Sequence, residues 1–525
     1  MIPGKFTVSN SIGPVDTRNN KNLARKQINA LFASASLSYK NAFFLDVTGR
    51  NDWSSALAYP LGGGNYSYFY PSVSAAWEFT ESLKSQLPSW ISYGKVRASY
   101  AVVGGDTDPF QLNSGYIMEE IWNGGQNSGY LYYPYNKDTY PNDNLKPSMA
   151  HSFEVGADVR FLNNRIGLDV ALYKTNIKDQ ILKLDVPTES GVKNKFINAG
   201  NFQNQGIEIA INGRAVQSKN FQWDVNLNGS RNTNKIIELT PGVNTYEMGN
   251  DQDVRVIAQA GRPYGVLVTN YGYTPFVSTD PAKNGKPVIE TSTSFPVQYK
   301  RSYAEVGNIT PDFNLGLSNN FTYKNWNLSV LLQARVGGDI FSASHQYGTG
   351  RGTVESTLPG RDAASGGLAW TDDQGTQRND GMIPDGVFGA GMKGTTATGK
   401  TQDISGMSYR EAYDKGYVNP LTPYQYYSMI GEWGIGIRQA SVFDASYVAL
   451  REVSLGYTFP AKMIERLKLT KARVMLVGRN LGYLFNNLPD NINPESLRNN
   501  STFAFSEYGG APFIRNMAIT VQLGF

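Results

Sequence analysis

The sequence predicts an all-β fold, a transmembrane antiparallel β-barrel, and three observations carry that prediction. Segments of about ten residues in which large apolar side chains alternate with small or polar ones recur along the chain. The second face of several segments carries charged residues. The connections between segments fall into a short class and a long class. Together these features are typical of outer-membrane barrels.

Composition agrees with a fold built from many strands. The 525 residues include 54 Gly, 32 Tyr, 25 Phe and 8 Trp, which combine aromatic strand formers with turn formers. Mean hydropathy is −0.37, and no apolar run approaches the roughly eighteen residues that a membrane-spanning helix needs. Helical membrane spans are therefore excluded. The formal net charge of +4 gives no indication of nucleic-acid binding, and the absence of Cys excludes disulfides and thiolate chemistry.

The N-terminal segment differs from the rest of the chain. Residues 1–30 are polar and without periodicity, so we expect a loop that precedes the barrel strands, which occupy residues 31–525. The first residues lack the apolar region of a signal peptide. Because a protein that crosses a membrane needs an export signal, we expect this chain to be part of a longer precursor.

Alternation first appears in a hairpin, over residues 31–39 and 43–50, with the tight polar turn Lys40-Asn41 between the strands. The same pattern then continues to the C-terminus. It predicts further strands over residues 66–79, 95–103, 153–161, 166–173, 206–214, 221–231, 263–272, 313–323, 326–336, 445–459, 471–481 and 514–525.

Charged residues on the second face favour a barrel over a β-sandwich. In the hairpin 153–173, apolar residues alternate with Glu154, Asp158, Arg160 and Asp169. Each unpaired charge in a dry core costs several kcal/mol. A water-filled lumen removes that cost.

Connection lengths indicate the orientation of the strands. We expect the short turns on the periplasmic side and the long loops, such as 104–150, 337–444 and 482–513, outside the cell. Under this assignment the strands 263–272 and 313–323 run in the same direction. We therefore expect one more strand near residues 295–306, which gives about fifteen. An odd number indicates that strands are missing on the N-terminal side.

The last strand has the clearest pattern in the chain. Every second residue from Met517 to Phe525 is large and apolar. A chain that stops on an aromatic residue at the end of such a strand is typical of a closing barrel strand. We predict that Val521, Leu523 and Phe525 close the barrel and serve as its assembly signal.

Several motifs resemble the SusC/RagA family of TonB-linked outer-membrane proteins. They run in order from the first strands to the C-terminus. These motifs are GRNDWSS at 49–55, YFYPSVSAAW at 68–77, VRASY at 96–100, NAGN at 198–201, NQGIE at 204–208, DASYVALREVSLGY at 444–457, VGRNL at 477–481 and NPE at 493–495.

The resemblance implies a 22-stranded barrel with a plugged lumen, of which this chain is the C-terminal part of about fifteen strands. Members of this family work with a SusD-like surface lipoprotein that acts as a lid, and they take energy from the TonB complex through a box before the plug. Neither the plug nor that box is recognisable here. The resemblance therefore implies that the plug and the first seven or so strands lie on another stretch of chain.

Catalytic and metal chemistry has little support in the sequence. The two histidines, His151 and His345, lie at a strand start and in a loop, and we interpret the loop histidine as a solvated surface residue. No Ser/His/acid spacing supports an outer-membrane hydrolase. Carboxylates between Asp372 and Asp385 are suitable Ca²⁺ ligands, although their spacing matches no defined loop. We expect no enzyme activity and no resident cofactor.

Aromatic clusters in the long loops are the better candidates for ligand contact. Flat rings stack on sugar faces and grip peptides, but loop aromatics also hold loops together or contact a partner protein. The predicted substrate-contacting residues are Trp122, Tyr130, Tyr132, Trp370, Tyr426 and Trp433.

The leading functional hypothesis is an outer-membrane importer of nutrient oligomers, glycans or peptides, that depends on TonB. One alternative is a passive porin or structural barrel without energy coupling. Another is a soluble all-β binding protein. A plug and a TonB box encoded upstream in the full-length gene favour the importer. The sequence does not decide the substrate.

Overall fold

The computed structural model describes most of the chain after residue 24. The described residues are 25–59, 62–109, 111–112, 119–123, 126–132, 139–140, 142, 144–190, 192–291, 297–396, 398–499, 501, 503–510 and 512–525. Most of the predicted N-terminal loop, residues 1–24, lies outside them. The chain divides into two compact units, one of residues 1–164, 169–206 and 234–246 and the other of residues 165–168, 207–233 and 247–525.

Strands dominate the secondary structure. In the first half of the chain they are β1 (Ile28–Tyr39), β2 (Phe43–Ser54), β3 (Ser67–Glu78), β4 (Ile91–Gly105), β5 (Glu119–Asn123), β6 (Gln126–Tyr132), β7 (Thr139–Tyr140), β8 (Ser148–Phe161), β9 (Ile166–Asp185), β10 (Asn194–Gln217), β11 (Phe221–Glu238), β12 (Thr245–Asp251), β13 (Val254–Gln259) and β14 (Val266–Tyr273).

In the second half, short strands occur between the long ones. They are β15 (Val288–Glu290), β16 (Gln298–Tyr299), β17 (Arg301–Asn308), β18 (Phe313–Tyr323), β19 (Trp326–Val336), β20 (Asp339–Ser342), β21 (Leu368–Thr371), β22 (Gln377–Gly381), β23 (Val387–Phe388), β24 (Lys393–Thr395), β25 (Thr401–Asp403), β26 (Val442–Asp444), β27 (Tyr447–Thr458), β28 (Lys471–Asn486), β29 (Ser506–Glu507) and β30 (Asn516–Gly524).

The long strands form one sheet of fourteen strands. Thirteen follow the order β1-β2-β3-β4-β8-β9-β10-β11-β18-β19-β27-β28-β30, and the short β7 adds to β10 in parallel. Neighbouring strands of this path pair antiparallel wherever their register is described, as predicted. In β30, for example, Gly524 lies opposite Lys471 and Asn516 opposite Arg479 of β28.

The apolar side chains of this sheet are on its exposed face. Along β3, Phe69, Val73 and Trp77 are exposed, while the intervening Ser72 and Ser74 are partly covered. A soluble sheet shows the opposite arrangement, with apolar residues covered and polar residues exposed. An exposed apolar band opposite a polar face is the arrangement expected of strands that face lipid.

Short polar turns connect the hairpins where the sequence predicts them. Lys40 and Asn41 have φ values of 51° and 50°, and Lys324 has a φ of 51°. Three residues, 40–42, separate the paired Tyr39 and Phe43, and two residues separate the paired Tyr323 and Trp326. Left-handed residues in such short turns give a twist that matches the flanking strands. Aromatic pairs lie next to two of these turns: Phe43 stacks on Trp77, and Trp326 lies 4.8 Å from Tyr457 between ring centroids.

The long connections of the second unit are themselves folded. They contain α2 (Ala343–Arg351), α3 (Tyr409–Asp414) and α4 (Pro423–Gly431), whereas the short α1 (Phe79–Ser82) and α5 (Ala461–Ile464) lie in turns. Side-chain capping boxes start α3 at Ser408 and α4 at Thr422. One apolar core includes Phe388, Tyr409, Met429 and Ile437, and another includes Val254, Leu267 and Phe341. No helix among the described residues is long and apolar enough to cross a membrane.

One part of the strand prediction is wrong. The segment 263–272 is not a strand of the large sheet, because β14 belongs to a separate four-stranded sheet with β12, β13 and β17. Residues 266–269 of β14 are buried on both faces, which fits the apolar run at 266–268 and not an alternating strand. The extra strand expected near 295–306 is β17 of that same small sheet, and residues 292–296 lie outside the described residues.

The strand count changes accordingly. β11 pairs directly with β18, Phe221 lying opposite Tyr323. The chain therefore leaves the large sheet after Glu238 and returns at Phe313. No added strand is needed to keep neighbours antiparallel, and the sheet has fourteen strands where about fifteen were expected.

Candidate functional site

The first group of predicted contact residues lies in a hairpin. Trp122 is on β5, and Tyr130 and Tyr132 are on β6. In the register of this hairpin, Trp122 pairs with Asn127 and Tyr132 with Glu119. Their place in the chain agrees with the predicted long loop between β4 and β8.

Trp370 and Tyr426 contact other parts of their own loop. The Trp370 indole nitrogen donates to Oδ1 of Asp380 at 3.2 Å, and the Arg378 guanidinium lies 5.7 Å from the Trp370 ring centroid. Tyr426 is half-buried, packs against the apolar core around Met429 and meets Tyr427 edge to face. Both side chains therefore stabilise the folded loop.

Among the predicted contact residues whose side chains the structure describes, Trp433 is the one that lies in a cluster of aromatic and arginine side chains. Its side chain is 53% exposed, and its ring stacks on that of Tyr347 at 5.9 Å with an interplanar angle of 8°. Tyr347 also contacts Tyr508, whose side chain is 49% exposed. We define the arginine-aromatic cluster as Tyr271, Arg301, Tyr347, Trp433, Arg438 and Tyr508.

Separate elements of the second unit supply this cluster. Tyr271 is on β14, Arg301 on β17, and Tyr347 in α2. Ser342 accepts a hydrogen bond from the backbone amide of His345 at 3.0 Å, which starts α2. Because the contributing elements are far apart in sequence, no local motif marks the cluster.

Arg438 is the centre of the cluster and is 1% exposed. Its guanidinium lies 4.5 Å from the Tyr271 ring centroid and 5.3 Å from that of Trp433. Its Nε donates to the carbonyl of Gln252 at 2.9 Å. Burial lowers the pKa of Arg438, and the Asp253 carboxylate, 3.9 Å away, opposes that shift. The buried cation therefore holds the exposed Trp433 ring in place.

Further guanidinium groups border the rings. Arg301 lies 4.8 Å from the Tyr271 ring centroid and donates to the carbonyl of Gly434. Arg498 lies 5.9 Å from the Tyr508 ring centroid and pairs with Asp251 at 2.8 Å. The result is an aromatic surface with cationic edges. Such a surface suits ligands that present flat apolar faces together with acceptor groups.

His345 is not a solvated loop residue, and that interpretation of the sequence is wrong. It lies in α2 with 8% exposure. Its Nδ1 is 3.0 Å from Oγ of Ser441 and its Nε2 is 3.8 Å from Oδ2 of Asp490. Burial lowers the pKa of His345. Ser441 has no exposed surface, so no substrate carbonyl reaches its hydroxyl and the group does not form a hydrolase site.

The Asp-rich stretch does not converge on one point. Oδ1 of Asp372 accepts from the backbone amides of Gln374 and Thr376, Asp380 pairs with Arg378, and Asp385 pairs with Lys286. Among the residues that the structure describes, no three His, Asp or Glu side chains form a group suited to a metal ion. The Ca²⁺ expectation remains a sequence prediction.

Charges on the polar face of the sheet pair with each other. The Arg97 guanidinium makes two hydrogen bonds to Asp169, at 2.9 and 3.0 Å, and lies 3.5 Å from Glu154. It crosses Gly156 of β8, where a Cβ atom would come within 2.7 Å of the guanidinium carbon. The motif at 96–100 therefore supplies a cation that links three neighbouring strands.

Two other motifs meet in a second polar network. Glu495 accepts from Tyr447 at 2.8 Å, from Tyr483 at 3.2 Å, and from Arg451. Burial acts to raise the pKa of Glu495, but these donors outweigh burial and the pKa is lowered. The network ties the loop motif at 493–495 to strands β27 and β28.

The predicted closing residues are exposed, Val521 and Leu523 on β30 and Phe525 directly after it. Val521 is 59%, Leu523 49% and Phe525 91% exposed. Thr470 donates its backbone amide to the carbonyl of Gly524 at 2.8 Å, which holds the end of the chain beside β28.

Comparison with known proteins identifies the fold. A family model described as TonB dependent receptor-like, beta-barrel matches residues 4–255. TonB-dependent receptor P3 of Formosa agariphila is 23% identical over 98% of this chain and 47% of its own length. TonB-dependent receptor SusC of Bacteroides thetaiotaomicron is 24% identical over 60% of this chain and 32% of its own length.

Solved structures agree with the sequence comparisons. The RagAB peptide importer in a closed-closed state superposes with a TM-score of 0.66 at 16% identity, over 95% of this chain and 48% of that chain. The chain is similar to the TonB-dependent receptor β-barrel family over residues 4–255, a little under half of its length. The resemblance drawn from the motifs is thus confirmed, and so is the all-β, antiparallel barrel class.

TonB-dependent receptor barrels are outer-membrane proteins, and the family consists of receptors and transporters rather than enzymes. The exposed apolar face of the large sheet is consistent with this location. The chain spans about half the length of the relatives that it matches most extensively.

Proposed function

We propose that this chain is the C-terminal barrel portion of a TonB-dependent importer that takes nutrient oligomers, glycans or peptides, across the outer membrane of a Gram-negative bacterium. A SusD-like surface lipoprotein acts as its lid, and the TonB complex supplies energy through a segment outside this chain. The observation that carries the proposal is the arginine-aromatic cluster, which several folded connections of this barrel-like chain form together.

The geometry of the cluster supports oligomer capture. Trp433 and Tyr508 expose about half of their side chains, and the buried Arg438 fixes the Trp433 ring. A fixed ring loses little conformational entropy when a sugar or peptide stacks on it, which favours binding. A porin with only a passive lumen has no need of such a surface.

The state of the outer strands supports a missing barrel portion. β1 and β30 end the described path of the sheet, and each has one neighbour there. In lipid, an unpaired strand edge costs several kcal/mol for each unsatisfied group. We therefore propose that a plug and further strands, encoded with residues 1–30 and 31–525 in one longer protein, complete the barrel.

Energised uptake separates the importer from the porin. Cells that express the full-length gene are given fluorescent oligosaccharide or peptide libraries, with and without a functional TonB gene. The importer predicts accumulation that requires TonB. Accumulation that is equal in both strains, together with steady conductance of the purified barrel in planar bilayers, would establish the porin.

A pair of tryptophan variants tests the site itself. Replacing Trp433→Ala removes an exposed stacking ring, which contributes about 1–2 kcal/mol to stacking contacts of this kind, and we expect about a tenfold loss of affinity for the imported oligomer. Trp90→Ala removes a ring that is 51% exposed in the turn before β4, far from the cluster in sequence, and is the control that keeps that affinity. Equal affinities of both variants, measured by isothermal titration, would remove Trp433 from the binding site.

A further inference from the structure

The connection between β27 and β28 differs in charge from the other connections on the side of the sheet where the short turns lie. Residues 459–471 contain α5 followed by a 3₁₀ turn over residues 465–467. Met463 is 60% exposed and Leu467 is 68% exposed, while Ile464 between them is buried. We define this segment as the basic turn.

Cations surround these two exposed apolar side chains. The basic turn contains four, Lys462, Arg466, Lys468 and Lys471, against a single carboxylate, Glu465. All five side chains are exposed. Within the described part of the chain, no carboxylate lies within 4 Å of any of the four cations. The four like charges repel each other, and the two exposed side chains leave apolar surface in water.

A comparable connection lacks these features. Residues 79–90, between β3 and β4, form a turn of similar length with one Glu and one Lys, and Lys84 and Glu81 pair at 3.7 Å. Charge on the basic turn is therefore not a general property of the longer turns on this side of the sheet. The neutral turn provides a matched internal control.

The basic turn continues the membrane-facing aromatic band. Phe459 meets Tyr457 edge to face at 5.2 Å, and Tyr457 contacts Trp326. Thr470 hydrogen-bonds the backbone of Gly524 beside the exposed Phe525. Short turns of outer-membrane barrels lie at the periplasmic surface of the bilayer. In a barrel of this class, Met463 and Leu467 are therefore expected at the depth where acyl chains meet headgroups.

We propose that the basic turn is a binding surface for anionic phospholipid of the periplasmic leaflet. Met463 and Leu467 insert at the acyl-headgroup boundary, and Lys462, Arg466 and Lys468 contact the phosphates. This division of apolar and cationic side chains is the one that interfacial segments use. The proposal needs only the membrane location of the family and is independent of what the barrel transports.

Fluorescence quenching by brominated lipid tests the proposal. The chain has no Cys, so Leu467→Cys in the full-length gene product, after removal of any Cys elsewhere in it, carries one environment-sensitive label. Ser85→Cys places the same label in the neutral turn. Both proteins are reconstituted with brominated phosphatidylglycerol or brominated phosphatidylcholine, and the relative affinity of the two lipids at each label is measured.

We expect a preference for phosphatidylglycerol of at least about fivefold at position 467, the contribution of one cation near an anionic surface, and none at position 85. Changing Lys462, Arg466 and Lys468 together to Gln should abolish the preference at 467. About 1 M NaCl, where the Debye length is about 3 Å, should do the same without any substitution. Heat-modifiable gel migration checks that each variant is folded.

Three results would overturn the proposal. They are a label at 467 that neither brominated lipid quenches, an equal preference at positions 467 and 85, and a preference at 467 that survives both the triple substitution and high salt. The first result means that the turn does not reach lipid. Each of the other two means that the cations of the turn do not select anionic lipid.

Discussion

Arg438 is the residue whose removal should most affect the loop structure of this protein. In the Arg438→Ala variant, the carbonyls of Gln252 and Gly436 lose a charged donor, and the rings of Tyr271 and Trp433 lose a cation. A hydrogen bond to a charged group contributes about 1.5–3 kcal/mol and a desolvated cation–π contact about 2 kcal/mol. Removing the desolvation cost of the guanidinium offsets part of this sum, and we expect a net local loss of about 3 kcal/mol.

Hydrogen exchange with mass spectrometry measures that loss where it occurs. A loss of about 3 kcal/mol corresponds to roughly a hundredfold faster exchange, and we expect it in α2 and α4, whose neighbours contact Arg438. Strands β18 and β19 should exchange as in the unsubstituted protein, because their ladder does not involve Arg438. Arg410→Ala is the control. Arg410 is exposed, and its ion pair with Asp414 on the same helix, at 3.8 Å, is a surface pair that contributes little to stability. Unchanged exchange of α2 and α4 in Arg438→Ala would refute the structural role assigned to this buried cation.

The remaining predictions concern the loop network and the C-terminus. The lowered pKa of Glu495 means that its contribution to stability is complete above the ordinary glutamate pKa and is lost as the pH falls through the lower folded value. We therefore expect rate-corrected exchange protection of residues 487–499 to fall in acid, and Glu495→Gln to remove that pH dependence; identical acid profiles of the two proteins would count against the network. Deleting Phe525 should lower the yield of assembled barrel in the outer membrane while synthesis continues, and Phe525→Trp should restore the yield; full assembly of the deletion variant would contradict the role of the terminal aromatic residue.

Most of the large sheet was predictable from the sequence because its strands have two unlike faces. The hairpins β1-β2, β8-β9 and β18-β19 appear where apolar alternation and polar turns place them. Successive side chains of a strand point to opposite faces, so the alternation of apolar and polar residues can be read directly from the sequence. Strand β14 departs from this rule, because burial on both faces gives it a continuous apolar run.

The folded loops were predictable only in part. The helix starts at Ser408 and Thr422 have capping-box partners three residues later, Glu411 and Gln425, and these signals are readable in the sequence. The arginine-aromatic cluster has no such signal. Tyr271 and Arg438 are 167 positions apart, and only the packing of β14 against the loop at 438–441 brings them together. Residue type and loop position were enough to predict Trp433 as a contact residue. The residues that surround it in the cluster were not predicted.

A scan of single labels along β3 tests the central claim of this account, that the exposed apolar face of the large sheet is the lipid-facing wall of an outer-membrane barrel. Cysteine is introduced in turn at positions 72, 73, 74 and 77 of the reconstituted receptor, and each label is exposed to a lipid-attached quencher and to aqueous iodide. A lipid-facing wall predicts a period of two, with lipid quenching at Val73 and Trp77 and none at Ser72 and Ser74. Iodide quenching at Val73 and Trp77, or an absence of alternation, would contradict it.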